Sequence, residues 1–382
     1  MTAPMESIGN ATLHLGDCLD VMRTLPDNSV DSIVTDPPYG LAFMGKKWDY
    51  DVPDVAIWAE CLRVLKPGGH LLAFAGTRTQ HRMAVRIEDA GFEIRDMIAW
   101  VYGSGFPKSH NGEWGGTALK PALEPITMAR KPFACTVAAN VLLHGTGALN
   151  IDGCRVGWPD GIEPEIGTPA WGGPAKKLTA VPGQDGETVE RAAPSPLGRW
   201  PANLIHDGSD EVVSMFPQSA GQQRDVLGTE PSRLTNGIYG EFSNRPAAPA
   251  RNDTGSAARF FYVAKASGED RNEGMHGFAA VQQDESRKVG DPGGDNPRNR
   301  GAQARQNHHP TVKPTDLMRY LLRLVTPPHG VALDPFLGSG STGKAAMLED
   351  FKFIGIERDP DYFAIAVARL QHATAQTSLF AA

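Results

Sequence analysis

A carboxylate, two prolines and a tyrosine stand together early in the chain, in the run Asp36-Pro37-Pro38-Tyr39. An amino group attached to an aromatic ring is a poor nucleophile because its lone pair is delocalised into the ring. The Asp36 carboxylate and the Pro37 carbonyl could accept the two hydrogens of such an amine and turn its lone pair outward. Tyr39 offers a flat face on which the ring can stack. These residue types therefore suggest chemistry at an aromatic amino group.

A short buried strand is predicted to position this run. We interpret the residues from Val30 to Val34 as that strand. The two consecutive prolines prevent it from continuing into a helix, so a rigid loop begins at the carboxyl end of the strand. In an open α/β sheet that edge is where ligands bind. Four residues alone leave a second interpretation open, in which the prolines form a turn that only closes a strand.

A second segment with functional potential lies near the other end of the chain. The pattern predicts a strand at 331–333, a glycine loop at 334–342 and a helix through about Leu348. Gly338 and Gly340 let the backbone approach a ligand closely, and the start of the helix favours electron-rich groups. The next predicted strand, 353–356, ends in Glu357. An acidic residue about 20 positions after such a loop is placed to bind ribose hydroxyls.

Both motifs resemble those of one enzyme family. The D-P-P-Y run resembles the signature of the DNA amino-methyltransferases, which move a methyl group from S-adenosylmethionine (AdoMet) to adenine N6 or cytosine N4. The later loop lacks the full G-x-G-x-x-G of dinucleotide enzymes. It is similar to the D-P-F-x-G-x-G loop by which this family holds AdoMet. The resemblance covers roughly residues 8–135 and 305–372.

The resemblance implies a role for individual residues. The implied catalytic residues are Asp36, Pro37, Pro38 and Tyr39, and the implied AdoMet-binding residues are Asp17, Cys18, Asp36, Thr311, Lys313, Asp334, Pro335, Phe336, Gly338, Ser339, Gly340, Ser341 and Glu357. In the family the G-D-C position faces the AdoMet adenine, although Asp17 could instead cap the helix that follows. The run H-P-T-V-K-P is similar to a family element that lines the cofactor pocket. There, Thr311 and Lys313 would meet the methionine carboxylate.

The order of these parts predicts the architecture. The catalytic loop comes first, a long variable region second and the cofactor loop last, and in the family this permutation defines the β group. We expect an α/β fold with a doubly wound, mostly parallel sheet, the Rossmann-like AdoMet-dependent methyltransferase fold, circularly permuted and with a long inserted target-recognition region. The expected divisions are a catalytic half at 1–135, the inserted region at 136–305 and an AdoMet-binding half at 306–382. The inserted region is expected to contain flexible segments, and the sequence leaves open whether 158–197 and 268–305 are ordered.

Turn and periodicity signals predict further element boundaries. A helix at 54–65 is predicted to stop at Lys66-Pro67-Gly68-Gly69, and a strand is predicted at 259–264. The last helix is predicted to end near Leu370. The tail that follows it, to Ala382, is expected to fray.

Composition limits the class of protein. The chain has 382 residues, of which 41% are hydrophobic, and a net charge of −7, which argues against indiscriminate binding of nucleic acid. It has no secretory signal and no apolar run of about 18 residues or more, so a cytoplasmic protein without a membrane partner is expected. The cysteines are Cys18, Cys61, Cys135 and Cys154. Their spacing fits neither a zinc site nor a disulfide framework, and none follows a proline as a cytosine-attacking cysteine usually does. No metal is expected.

Basic residues in two segments are the expected DNA contacts. The segment from Asn296 to Thr315 has four basic residues and no acidic one, which favours contact with the DNA backbone, with a solvated linker as the alternative. The loop from Gly40 to Asp54 could close over an extruded base or be only a surface loop. The candidate DNA-binding residues are Lys46, Lys47, Arg298, Arg300 and Arg305. A stripe of Arg78, Arg82 and Arg86 is interpreted as a solvated helix face.

The expected function is site-specific transfer of a methyl group from AdoMet to adenine N6 in double-stranded DNA after base flipping. The family resemblance also implies a homodimer. Cytosine N4 is the first alternative, but family members that modify it more often carry serine in place of Asp36. A non-catalytic DNA-binding relative would be expected to have lost Asp36 or Gly338, and both are present. Protein-glutamine and RNA methyltransferases share the proline pair, yet they usually keep the cofactor loop first.

Overall fold

The computed structural model describes residues 4–41, 49–105, 113–158, 175–176, 188–189, 195–218, 225, 227, 255–282 and 304–380. The chain divides into two compact units. Unit 1 comprises Met1–Cys154, Ala202–Val212 and Val263–Ala382, and unit 2 comprises Arg155–Pro201 and Val213–Tyr262. The candidate site described below lies within unit 1.

The strands and helices of the described residues follow in chain order. The strands are β1 (Met5–Ile8), β2 (Ala11–Leu15), β3 (Val30–Thr35), β4 (Leu65–Phe74), β5 (Glu93–Val101), β6 (Leu123–Arg130), β7 (Ala175–Lys176), β8 (Thr188–Val189), β9 (Leu204–His206), β10 (Tyr262–Val263), β11 (Val331–Asp334) and β12 (Lys352–Glu357). The helices are α1 (Cys18–Met22), α2 (Val55–Val64), α3 (Gln80–Asp89), α4 (Val137–His144), α5 (Asp210–Val213), α6 (Gly268–Asn272), α7 (Thr315–Val325), α8 (Ser341–Leu348) and α9 (Pro360–Phe380).

Ten of the described strands form one sheet, in the order β1-β2-β12-β11-β3-β4-β6-β5-β9-β10. The central strands β2, β12, β11, β3 and β4 run parallel to one another. β6 is antiparallel to β4 and β5, and β1 is antiparallel to β2. The predicted α/β fold with a mostly parallel sheet is therefore confirmed. The order also places β11 and β12, from late in the chain, between β2 and β3, from its beginning.

All six residues of β3 are buried, although three of them, Asp31, Ser32 and Thr35, are polar. The Asp31 carboxylate accepts from Lys66 Nζ at 2.6 Å and from Val331 N at 2.8 Å. The Ser32 and Thr326 hydroxyls are hydrogen-bonded at 2.8 Å. A strand in a parallel sheet is covered on both faces, so polar side chains in it need such partners.

The register of the parallel strands aligns their carboxyl ends. Leu15 of β2 pairs with Glu357 of β12, and Leu333 of β11 pairs with Ile33 of β3. The segments that follow these strands therefore emerge at one edge of the sheet, where ligands of open α/β sheets bind. Those segments begin with Gly16 after β2, Asp36 after β3, Pro335 after β11 and Arg358 after β12.

The helix predicted at 54–65 ends at Val64, as its stop signal indicates, but the stop residues Lys66-Pro67-Gly68-Gly69 belong to β4. The pairing of β3 with β4 contains a register shift, and an irregularity of this kind accommodates proline in a strand. Gly68 N donates to Lys131 O at 3.0 Å, and Lys131 N donates to Gly69 O at 2.9 Å. These long-range bonds extend the strand through residues that favour a turn.

The strand predicted at 259–264 is also mostly wrong. Residues Ala257–Phe260 form a 3₁₀ turn because the Ser256 side chain accepts from Ala258 N and starts it. Only β10, two residues long, remains extended.

The predicted end of the last helix near Leu370 is too early, since α9 continues to Phe380. Packing holds the added turns in place. Ala373 is fully buried, and Gln376 Nε2 donates to Glu273 Oε1 at 2.6 Å. A polar sequence that would fray alone is thus stabilised by contacts with a distant segment.

A buried ionic cluster involves α6, which begins the hydrophilic segment 268–305. Lys344 of α8 is 3% exposed; its Nζ donates to Asp270 Oδ1 at 2.7 Å and also pairs with Glu273. Asp270 further accepts from Thr315 N at 2.8 Å. These contacts pack α6 against residues of α7 and α8, while 283–303 and most of 158–197 lie outside the described residues.

Removing the acidic centre of this cluster is expected to destabilise the fold. Asp270→Ala leaves the buried Lys344 ammonium with one acidic partner, and breaking a buried ion pair costs about 3–5 kcal/mol. Urea unfolding of the purified protein measures the change in the free energy of unfolding. Asp20→Ala is the control, because the Asp20 side chain is 76% exposed in its pair with Arg23. Equal effects of the two substitutions would contradict a stabilising role for the cluster.

Candidate active site

A cavity of about 570 Å³ lies at the carboxyl edge of the sheet. It brings together the catalytic and cofactor segments that the sequence places at opposite ends of the chain. The predicted site residues that line it are Asp17, Cys18, Asp36, Pro37, Pro38, Tyr39, Thr311, Lys313, Pro335, Phe336, Gly338, Ser339, Ser341 and Glu357. The two motifs are therefore parts of a single site.

Asp334 and Gly340, also predicted site residues, do not line the cavity. Asp334 is buried and accepts from the Thr35 hydroxyl and the Thr342 hydroxyl, each at 2.6 Å, and from Phe336 N at 3.0 Å. Burial raises the pKa of Asp334 to about 6. Gly340 precedes α8 with a φ of 77°, and a Cβ there would lie 3.0 Å from Ala366. Both residues fix the shape of the loop from behind the cavity.

Four side chains form a hydrogen-bonded cluster at the catalytic run. Asp36 Oδ2 accepts from Lys313 Nζ at 2.5 Å, and Asp36 Oδ1 accepts from the Tyr39 hydroxyl at 2.7 Å. Glu124 Oε2 lies 3.1 Å from the Tyr39 hydroxyl and 3.3 Å from Lys313 Nζ. The Lys313 side chain is only 6% exposed. One ammonium and one phenol are therefore shared by two carboxylates.

Burial and charge set the protonation of this cluster. Burial raises the pKa of Asp36; Lys313 opposes that rise and Glu124 adds to it. Burial disfavours the charged form of Lys313, but Asp36 and Glu124 outweigh it and raise the pKa of that ammonium above its usual range. Burial and the two carboxylates raise the pKa of Tyr39 as well. Lys313 therefore stays charged, and Tyr39 stays a hydrogen-bond donor.

The sequence prediction missed Glu124. It stands at the start of β6, an antiparallel strand, and the start of such a strand lies at the edge where parallel neighbours end. Ile126 of β6 pairs with Phe74, the last residue of β4. The signal available in the sequence was a lone acidic residue at the beginning of an apolar strand.

The cofactor half of the cavity is organised around Glu357. Its Oε2 accepts from Gly338 N at 2.8 Å, and its Oε1 accepts from Arg358 N at 2.9 Å and Asp359 N at 2.8 Å. Burial raises the pKa of Glu357 to about 7, although the three backbone donors favour the ionised form and lower it. Gly338 has a φ of 53°, and a Cβ there would lie 2.9 Å from His309 Nε2. A side chain at position 338 would therefore clash with the His309 ring.

Asp17 caps the helix that follows it, and its contact with the AdoMet adenine stays a prediction. Its side chain accepts from Leu19 N at 2.9 Å and caps α1, and the residue also lines the cavity. Burial is the main cause that raises the pKa of Cys18 to about 12, so the thiol is neutral. Two aromatic residues, Phe336 and Tyr362, line the same cavity. The His309 and Tyr362 ring centroids lie 4.5 Å apart with the rings edge to face.

Most predicted DNA-binding residues lie outside the part of the chain that the structure describes. These are Lys46, Lys47, Arg298 and Arg300. The backbone of Arg305 pairs with Val281 in an isolated bridge, and its contact with DNA stays a prediction. In the basic stripe, Arg86 donates to Asp51 Oδ2 at 2.7 Å.

Two kinds of feature are absent from the described ranges. No group of three or more potential metal-ligating side chains comes together there. Among the helices described, none combines the length and the apolar character needed to cross a membrane.

The fold and the cavity define a Rossmann-like α/β protein with a polar ligand site at the carboxyl edge of its sheet. The chain belongs to the N6/N4 DNA methylase family, since the family profile described as DNA methylase (N6_N4_Mtase) matches residues 30–148 and 221–368.

Type II methyltransferases are among the proteins similar to this chain. The chain is 32% identical over 116 residues to the type II methyltransferase M.HindIII of Haemophilus influenzae, a match covering 25% of this chain and 38% of that protein. It is 44% identical over 63 residues to the type II methyltransferase M.Cfr9I of Citrobacter freundii, covering 16% and 21%. The matches thus span well under half of these curated relatives. Among solved structures, the cytosine-N4-specific PvuII DNA methyltransferase is 16% identical, with a TM-score of 0.49 over 98% of this chain and 95% of that chain.

AdoMet affinity is expected to fall as the pH falls through about 7, where Glu357 takes up a proton. An ionised carboxylate is the stronger partner for a ribose hydroxyl, with a charged hydrogen bond contributing roughly 1.5–3 kcal/mol. Calorimetric titration with AdoMet across a pH series measures the change. Glu357→Gln is the matched control, since it binds weakly at every pH. A pH response that persists in Glu357→Gln would assign the titration to another group.

Proposed function

We propose that this protein transfers a methyl group from AdoMet to the exocyclic amino nitrogen of adenine in duplex DNA. The observation that carries the proposal is the meeting of Asp36 and Tyr39 with the 334–342 loop in one cavity. Membership of the DNA methylase family supports DNA as the substrate class. The similar type II methyltransferases point in the same direction.

The residues of the cavity fit AdoMet. A volume of about 570 Å³ lies within the range of roughly 300–1,000 Å³ for small-molecule sites. We assign the ribose hydroxyls to Glu357 and the adenine amino group to Asp17, with Phe336 and Tyr362 as aromatic surfaces. Thr311 and Lys313 remain the proposed partners of the methionine carboxylate. An ammonium has three N–H donors, and two of those of Lys313 are accounted for by Asp36 and Glu124.

When bound, AdoMet supplies an electrophilic methyl group on a sulfonium. The residues of the catalytic run prepare the nucleophile. Asp36 and the Pro37 carbonyl accept the amino hydrogens, which turns the nitrogen lone pair towards the methyl group. The Tyr39 ring supports the base, while its hydroxyl is held by Asp36 and Glu124. After transfer the nitrogen carries one proton too many, and the Asp36 carboxylate, whose pKa is raised by burial, is placed to accept it.

Adenine is favoured over cytosine because Asp36, and not serine, occupies the first position of the run. Cytosine N4 remains the second candidate. The proposal also includes contacts of Arg298, Arg300 and Arg305 with the DNA backbone and a homodimeric enzyme, both drawn from the sequence pattern and the family resemblance. For the dimer, sedimentation of the free protein is the direct measurement.

Expression in a methylation-free host identifies the modified base. Genomic DNA is digested to nucleosides, and mass spectrometry separates N6-methyladenine from N4-methylcytosine. We expect N6-methyladenine in cells that express the wild-type chain and none in cells that express Asp36→Ala. Detection of N4-methylcytosine instead would favour cytosine N4, the second candidate. The absence of both modified bases would contradict DNA amino-methylation.

Asp36→Ala is expected to lower the rate of transfer by on the order of 10² or more, because the target amine loses the acceptor that orients it. AdoMet binding should change much less than transfer, since Glu357, Asp17 and the 334–342 loop keep their places in the cavity. Transfer of labelled methyl to DNA and calorimetric titration measure the two quantities. Asp316→Asn is the control, because the Asp316 side chain is 67% exposed. Equal transfer by wild type and Asp36→Ala would contradict the mechanism.

A further inference from the structure

Three successive backbone N–H groups directly after the second proline converge on one carboxylate. Tyr39 N and Gly40 N donate to Asp49 Oδ1 at 2.6 Å and 2.9 Å, and Leu41 N donates to Asp49 Oδ2 at 3.2 Å. Asp49 is 1% exposed and lines the cavity. Asp49 belongs to neither of the two sequence motifs, at 36–39 and 334–342.

The backbone after Tyr39 has the geometry of an anion-binding nest. Gly40 has a φ of 67°, the left-handed conformation that turns consecutive N–H groups to one side. A Cβ on Gly40 would lie 2.9 Å from Val52 N, so only glycine fits this position without a shift. The concavity is thus built by the backbone and filled by a carboxylate from the same chain.

The two prolines make this contact important for the catalytic run. Pro37 and Pro38 have no N–H, so the first N–H available after Asp36 belongs to Tyr39. β3 holds the run at one end through Thr35. At the other end, the Tyr39 N–H bond to Asp49 is the shortest of the three. The run is therefore held between a strand and the nest.

We propose that Asp49 is a positioning residue for methyl transfer, the built-in anion that fixes Tyr39 and the Pro37 carbonyl for the target base. The inference rests on the proposed function, because its main measurement is the rate of transfer. Asp49 touches neither reacting atom in this proposal. It acts through the backbone of the loop that does.

Asp54 provides a matched control within the same segment. Its carboxylate accepts from a single backbone N–H, that of Ala56 at 2.9 Å, and caps α2. It does not line the cavity. Asp54→Ala therefore removes a backbone-bonded carboxylate without emptying the nest.

The first measurement separates kcat from substrate binding. Asp49→Ala is expected to lower kcat by on the order of 10²-fold, the effect of a misplaced catalytic group, with AdoMet affinity unchanged. Asp49→Asn keeps the side-chain volume but places an N–H₂ group, itself a donor, against the backbone N–H groups of residues 39–41. We therefore expect a loss of kcat in Asp49→Asn too. Asp54→Ala should retain the kcat of the wild type. If Asp49→Ala fails to fold, Asp49→Asn supplies the comparison.

The second measurement is chemical rescue with formate, a carboxylate small enough for the emptied nest. Formate is expected to restore kcat of Asp49→Ala in a saturable manner and to leave wild type and Asp54→Ala unaffected. Sodium chloride at equal ionic strength is the control, because binding to DNA depends on salt. In parallel, amide hydrogen exchange of residues 39–41 should quicken in Asp49→Ala and slow again with formate.

Distinct outcomes overturn the two proposals. Wild-type protein without methylation of DNA would contradict the proposed function, and unchanged exchange at 39–41 in Asp49→Ala would contradict the nest. Full kcat in Asp49→Ala and Asp49→Asn, beside an active wild type, would overturn the positioning role alone. A loss of kcat in Asp49→Ala without formate rescue, or one matched by Asp54→Ala, would also overturn it.

Discussion

The buried carboxylate of Asp334 is the contact on which the geometry of the cavity depends. It accepts from the hydroxyl of Thr35, the last residue of β3, and from the hydroxyl of Thr342 in α8. One group thus joins the strand that carries the catalytic run to the loop and helix of the cofactor half. Burying a carboxylate is unfavourable without hydrogen-bond partners, so the loop conformation that supplies them is favoured over alternatives. The two halves of the cavity keep a fixed spacing as a consequence.

The sequence predicted the strands and loops of the two motifs, because each has a local signal that the fold preserves. Strand β3 ends where the prolines begin, and the loop after β11 has glycines at positions with positive φ, Gly338 and Gly340. Glu124 and Asp49 could not be predicted in the same way. Glu124 meets Tyr39 across 85 positions of sequence, and Asp49 acts through backbone amides, which carry no residue-specific signal.

Polar composition left the order of the 268–305 segment open for the opposite reason. The start of the 268–305 segment has few large apolar residues, and the sequence alone indicates solvent exposure. Asp270 and Glu273 are instead paired with Lys344, more than 70 positions away. Arg369, fully buried, donates from Nη1 to Ser339 O at 2.7 Å in the cofactor loop. Charges that cost free energy when buried alone are accommodated because they are paired, and pairing is a property of the fold.

The charges that line the cavity fit a cationic cofactor better than a polyanion. Two basic residues, Lys313 and Arg358, line it together with six acidic ones, Asp17, Asp36, Asp49, Glu124, Glu357 and Asp359. An excess of carboxylates favours a sulfonium over the neutral thioether that remains after transfer, since opposite charges attract more strongly at a partly buried site. Under the proposed function, the electric field of these carboxylates would help the thioether product to dissociate. The ratio of the affinities for AdoMet and for the thioether product measures this effect. The same acidic residues repel phosphates. The sugar-phosphate backbone attached to a base in this cavity therefore has to stay outside, in contact with basic residues.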